Sequence, residues 1–116
     1  MKTTQSLKGN YAFRRLYTKG KSSVQPAVVL YCRKNGARQN RLGLTVGTKV
    51  GKAVVRNRVR RRLREIYRLH REELRPGTDM VVVARGRSVG AAYRDLERDF
   101  LAGCRKLSVL REEAAP

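Results

Sequence analysis

Apolar residues recur at helical spacing in three stretches of this chain and alternate or cluster in three others. Between Lys52 and Leu74, the residues Val55, Val59, Leu63, Ile66 and Tyr67 fall within one arc at about 100° per residue, which predicts a helix with one core-facing side. Asn57, Arg58, Arg60, Arg61, Arg64, Arg68 and Arg71 cover its opposite side, with Arg56 and Arg62 at the borders. Phe13 and Tyr17 stand one turn apart with Leu16 beside them, predicting a shorter helix from Tyr11 to Lys19, capped by Asn10 and closed by Gly20. Tyr93, Leu96, Phe100, Cys104 and Leu107 trace a third helical stripe, with Asp95, Glu97 and Asp99 toward its N-terminal end.

The remaining apolar stretches have strand character. Ser22 to Cys32 reads as strand interrupted near Pro26, with Val28, Leu30 and Cys32 on one face and Val29, Tyr31 and Arg33 on the other. Asn35-Gly36 signals a turn before a second strand, Arg41 to Thr48, where Gly43 and Gly47 imply close backbone approach or a bulge. Met80 to Ala84 is a short apolar run suited to a central strand. The order helix, strands, helix, strand, helix predicts one α+β sandwich domain over residues 1–116, its small sheet covered mainly on one face. Residues 1–9 are expected to be a flexible lead and residues 111–116 a frayed tail.

Charge sharpens this picture. The net charge is +19, and from Met1 to Arg64 there are 18 Lys and Arg but no Asp or Glu. The remainder carries ten cations against nine acids, so the excess belongs to the first half and points to a polyanionic partner. Lys52, Arg56 and Arg58 crowd the N-terminal end of the basic helix, where each cation costs roughly 0.3–1 kcal/mol against the helix dipole. Glu72 and Glu73 sit at the equally unfavourable opposite end. A solvated basic face is the ordinary reading of a charge run, but a polyanion bound over the N-terminal half explains that inversion better. Nucleic acid is favoured over an anionic membrane, because no apolar run approaches about 18 residues. The polar N-terminus shows no signal peptide, and Cys32 and Cys104 read as buried free thiols, so a cytoplasmic location is expected.

Catalytic constellations are missing. His70 falls inside the apolar arc of the basic helix and reads as a packed residue. No His/Cys cluster has zinc spacing, and no glycine-rich phosphate loop follows a strand. Asp95 and Asp99, one turn apart, suit a divalent ion less well than a role as helix-start acids. What the acid-free half does hold is aromatic: Tyr11, Phe13, Tyr17 and Tyr31. Single-stranded RNA is held by bases stacked on aromatics with cations along the backbone, each stacked base worth roughly 1–3 kcal/mol. Core packing is the competing role for these rings. Tyr17 and Tyr31 have polar tips, and Tyr31 shares its strand face with Arg33, which favours a surface cleft.

The run from Val50 to Glu65, with Gly51-Lys52-Ala53-Val54 ahead of Arg56-Asn57-Arg58, resembles the signature of the bacterial ribonuclease P protein subunit. Phe13 to Gly20, Val28 to Tyr31, Arg41 to Val46 and Asp79 to Arg85 extend the resemblance, which runs over residues 7–107. The resemblance implies an αβββαβα sandwich with a four-stranded sheet and a left-handed crossover, as in the second domain of a small-subunit ribosomal protein. It also implies a ribonucleoprotein endonuclease that removes the 5′ leader of precursor tRNA. In that family the catalytic RNA subunit supplies the hydrolytic chemistry with bound magnesium, and no catalytic protein residue or obligate protein partner is expected. By position, Lys52, Arg56, Asn57, Arg58, Arg60, Arg61 and Arg64 become contacts to the RNA subunit. Phe13, Tyr17 and Tyr31 become the leader-binding cleft, with Lys19 and Arg33 beside them.

Three rival readings remain at this level. A structural RNA-binding protein would use the basic face without a leader cleft. A protein-only nuclease would need clustered acids, which the first half lacks. A DNA-binding regulator would need residues suited to reading base edges, and the arginine run has few.

Overall fold

The computed structural model describes residues 5–111. The elements follow in the order β1 (Gln5–Ser6), α1 (Asn10–Lys19), β2 (Lys21–Val24), β3 (Val28–Lys34), β4 (Arg41–Thr45), α2 (Ala53–His70), β5 (Thr78–Ala84) and α3 (Tyr93–Lys106). The four longer strands form a mixed sheet, and β1 adds two residues at its edge, giving the order β1-β4-β5-β3-β2. The interruption near Pro26 is a hairpin corner: β2 and β3 pair antiparallel, Val24 opposite Val29. β3 pairs antiparallel with β5, whereas β4 runs parallel to β5, joined to it by the crossover through α2.

β5 is the central strand, as its apolar run predicts, and it feeds two cores. Met80, Val82 and Ala84 face the larger one, with Val59, Leu63 and Ile66 of α2, Leu96, Phe100 and Cys104 of α3, and Val28, Leu30 and Cys32 of β3. Val81 turns the other way, joining Leu16 of α1 and Leu7, with Phe13, Tyr31 and Val83 packed around them. Period-two alternation therefore decides which residues serve the helix pair and which serve α1.

Several boundaries differ from the sequence-based expectation. The lead is ordered from residue 5: β1 pairs with β4, the Leu7 amide donates to the Leu42 carbonyl at 2.8 Å, and Leu7 is buried. Residues 1–4 and 112–116 lie outside the described residues. Arg111, expected in the frayed tail, is held by its amide on the Glu73 carbonyl and its Nε on the Leu74 carbonyl. Asn10 does not cap α1; Gly9 does, with φ 86°, a backbone that suits a residue without a side chain. Gly20 closes α1 in an extended conformation, needed there for space, since a Cβ would lie 2.6 Å from the Leu16 carbonyl oxygen. β4 ends at Thr45 because Val46 turns into the larger core and a short 3-10 turn, Thr48–Val50, redirects the chain. α2 ends at His70, followed by a single 3-10 turn over Arg71–Glu73, where the His70 ring bonds the Glu73 carboxylate.

Candidate nucleic-acid interface

α2 presents its cations as the periodicity predicts, and it begins without a side-chain cap. Lys52, at the N-cap position, is exposed, as are Asn57, Arg58, Arg61 and Arg64. Among the described residues, Arg58, Arg61 and Arg64 make no ion pair or side-chain hydrogen bond, so they present free guanidinium groups. Other cations are anchored. Arg56 Nε donates to the Gly51 carbonyl at 3.1 Å, which restrains one of the charges at the helix start. Arg60 Nη1 donates to Asn57 Oδ1 at 2.8 Å, tying together two members of the Arg-Asn-Arg signature's exposed side. Arg62 reaches across to the Ala91 carbonyl, and Arg68 forms a bidentate pair with Glu65.

The aromatic group lies on the α1 side of the sheet. Tyr17 and Tyr31 meet edge to face, with centroids 4.9 Å apart and planes at 76°. The Tyr17 hydroxyl lies 3.1 Å from Thr45 Oγ1, so the ring bridges from α1 to β4 while remaining 40% exposed. Phe13 is half-buried against Gly43, the one residue of β4 that lets the ring this close: a Cβ there would lie 2.6 Å from Phe13 Cζ. The close approach anticipated at Gly43 is thus to a ring of the aromatic set. Gly47 shows no such contact.

Phe13 also lines a cleft of about 400 Å³ whose other wall is α2, with Arg60, Arg64 and Arg68, and Arg71 of the turn after it. The sequence treats the arginine face and the aromatic set as two surfaces. In the fold Phe13 borders both. Arg68 and Arg71 were recognisable as part of the cationic side of the helix but not as partners of an aromatic. The strand register sets Val29, Val83 and Thr45 in one row on the α1 side of the sheet, the side that also carries Tyr31. They could be found only once β3, β5 and β4 were aligned. Lys19 and Arg33 both line a second, basic groove at the end of the sheet, and Arg33 also lines a cavity with Tyr11.

The three aspartates are committed elsewhere. Asp99 is 4% exposed and accepts the Ala27 amide at 2.9 Å, so it pins the β2–β3 corner to α3 and is not a helix-start acid. Asp95 pairs with Arg98. Asp79 accepts both Arg41 Nε and Nη2 and the Asn35 amide, joining β4 to β5 and to the loop between β3 and β4. Among the described residues no group of three His, Cys, Asp or Glu side chains is placed to hold a metal ion.

His70 is packed, as expected, but between two carboxylates: Nδ1 lies 2.7 Å from Glu73 and Nε2 2.6 Å from Glu97. A neutral imidazole has only one N–H, so bonds to carboxylates at both nitrogens require the imidazolium. Partial burial opposes that charge, yet the hydrogen bonds to Glu97 and Glu73 outweigh it and raise the pKa. Cys32 and Cys104 are free and buried, and burial pushes the Cys32 thiol up to about 12 and the Cys104 thiol higher still. Among the described residues no helix is long and apolar enough to cross a membrane.

Residues 1–108 match the family model described as Ribonuclease P. The chain is 40% identical over 110 residues to the ribonuclease P protein component of Alkaliphilus oremlandii, spanning 95% of this chain and 96% of the relative. It is 43% identical over 98 residues to that of Clostridioides difficile, spanning 84% and 86%. Its fold is similar to the RNase P protein of Staphylococcus aureus, with a TM-score of 0.84 and 27% identity over 94% of this chain and all of that one. The RNase P protein of Thermotoga maritima superposes with a TM-score of 0.77 and 30% identity over 84% of this chain and 93% of that one.

Proposed function

The chain belongs to the ribonuclease P protein family, the protein component of a tRNA-processing ribonucleoprotein endonuclease that works with an RNA subunit, and from that membership we propose a division of its surface. The outer side of α2 docks the RNA subunit through Lys52, Arg56, Asn57, Arg58, Arg60, Arg61 and Arg64. The cleft of Phe13, Tyr17 and Tyr31 takes the unpaired 5′ leader of precursor tRNA, with Lys19 and Arg33 meeting leader phosphates nearby. One observation carries this reading: Arg60 and Arg64 share a cleft with Phe13. A strand stacked on the rings is thereby held against the RNA-docking helix, so the two RNAs are brought together by one protein.

Guanidinium groups suit the docking role because they bind phosphate oxygens two at a time. Stacking suits the leader because it is tolerant of sequence, as processing of many precursors requires. Hydrolysis belongs to the RNA subunit with its bound magnesium, while the buried carboxylates of Asp79 and Asp99 serve the chain's own packing. The protein's contribution is to lower the magnesium needed, by supplying cations where two polyanions meet. This work is done in the cytoplasm, with no membrane involved.

The test is precursor-tRNA cleavage at low magnesium with RNA subunit alone, protein alone and both together. Acceleration with both subunits, and none with protein alone, is expected. Tight RNA binding without acceleration would refute the proposal in favour of a structural RNA-binding protein.

A further inference from the structure

A groove of about 830 Å³ opens between the corner joining α1 to β2 and the turn that follows α3. Its rim is basic, with Lys19, Lys21, Arg33, Lys34, Arg75 and Arg111, and among the described residues no acid lines it. Its floor is apolar: Cys32, Leu107 and Val109 are buried there, with Pro76 beside them. Arg75 is fixed in place, because its Nε donates to the Ser108 carbonyl at 3.0 Å. Ser108 holds a left-handed backbone, φ 59°, the one such non-glycine residue among those described. A strained turn thus aims the carbonyl that positions a rim cation. The Cys32 thiol, its pKa raised by burial, leaves the floor chemically inert.

Arg33 and Lys34 belong to two cavities. They line this groove and also one of about 420 Å³ that reaches Tyr11, Arg15 and Leu16 of α1 and the Arg41–Asp79 pair. Arg33 and Lys34 thus stand on the border between the groove and the α1 side of the sheet. An apolar floor under a cationic rim matches an unpaired nucleotide, with its base on the floor and its phosphates at the rim. A duplex keeps its bases stacked inside and can offer only the phosphates.

We propose that this groove binds the upstream part of the single-stranded leader, beyond the nucleotides held in the aromatic cleft. The inference rests on the reading that the chain binds precursor leaders, and it extends the leader's path around the end of the sheet. Lys21 and Lys34, both exposed, become phosphate contacts that only a long leader can reach.

The test uses the ribonucleoprotein reconstituted with Lys21→Ala/Lys34→Ala protein and two precursors. One has a leader trimmed to reach only the aromatic cleft; the other has a leader several nucleotides longer. The variant is expected to bind the long-leader precursor roughly 5- to 10-fold more weakly, with a salt slope shallower by about 1.4, from about 0.7 per contact on a single strand. Its affinity for the short-leader precursor is expected to match the wild type. The reversal Lys21→Glu/Lys34→Glu should deepen the long-leader loss alone. Equal losses on both precursors would move the groove to the RNA subunit and overturn the proposal, as would no loss on either. Failure of the wild-type complex to cleave even the short-leader precursor would overturn the underlying functional reading and the groove with it.

Discussion

Gly43→Ala tests whether the aromatic cleft is built as described. The added methyl would lie 2.6 Å from Phe13 Cζ and 2.8 Å from Cε2, whereas carbon atoms rest at about 3.5–4.0 Å. The ring must therefore retreat by about 1 Å. Overpacking a closed core costs about 1–3 kcal/mol, but Phe13 borders an open cleft into which it can shift, so the lower half of that range, about 1–2 kcal/mol, applies. For a domain of this size that is a fall in Tm of roughly 4–8 °C.

The assay is a double-mutant cycle of Gly43→Ala and Phe13→Ala, followed by thermal unfolding monitored by circular dichroism. Once the ring is gone, the methyl at 43 has open space, so adding Gly43→Ala to Phe13→Ala should cost almost nothing. The coupling should then approach the full cost of the single change, about 1–2 kcal/mol. The displaced ring also narrows the cleft, so Gly43→Ala should weaken precursor binding several-fold while leaving affinity for the RNA subunit intact, α2 being untouched. Equal destabilisation by Gly43→Ala in both backgrounds would refute the contact. Unaltered precursor binding, with the contact confirmed, would refute the cleft as the leader site.

Tyr17→Ala and Tyr31→Ala should each weaken precursor binding by roughly 1–3 kcal/mol if a base stacks there, with mature-tRNA affinity unchanged; equal loss on precursor and mature tRNA would count against a leader role. Arg58→Ala and Arg61→Ala should each weaken assembly with the RNA subunit and reduce the magnitude of the salt slope by about one unit, measured by titration across salt concentrations. An unchanged slope would remove the phosphate role. His70 has a raised pKa in the folded protein, so its two carboxylate bonds contribute fully below its ordinary value of 6.5 and fade as pH rises through the folded pKa. The Tm advantage of the wild type over His70→Gln should accordingly be largest near pH 6 and shrink at alkaline pH; a pH-independent difference would mean that the ring acts only through packing against Phe100.

The helices and the central strand were legible because their signals are periodic and local. Val59, Leu63 and Ile66 repeat at helical spacing, and Met80 to Ala84 is a short apolar run suited to a central strand, whereas the second core, under α1, was not expected of a sheet read as covered mainly on one face. Long-range pairings were not legible. Nothing within Met1 to Gly9 announces that Gln5 and Ser6 will pair with Arg41 and Leu42, since an edge strand of two residues takes its order from its partner. Asp99 looked like a helix-start acid because its partner, the Ala27 amide, is 72 residues away in sequence. The same limit explains the site. Phe13, Tyr17, Tyr31 and the arginines could each be named, yet only the packing of α1 and α2 around β4 sets Phe13 beside Arg60 and Arg64.

The basic helix shows how folding and binding divide the cost of an inverted charge pattern. Burying Val59, Leu63, Ile66 and Tyr67 contributes roughly 1.5–3 kcal/mol per side chain, against roughly 0.3–1 kcal/mol for each cation at the N-terminal end. Packing therefore holds the helix in the free protein, and Arg56, donating to the Gly51 carbonyl, partly relieves the end that no side chain caps. Arg58, Arg61 and Arg64 gain no such partner within the described fold, and none is needed for it to form. Their charges repel one another and the helix start in the free protein; in the proposed docking role, bound phosphates would make the same arrangement favourable. A polyanion that binds only this arrangement must stabilise it by mass action, so affinity for RNA and stability of α2 are one linked quantity, set by residues that contribute nothing to the core.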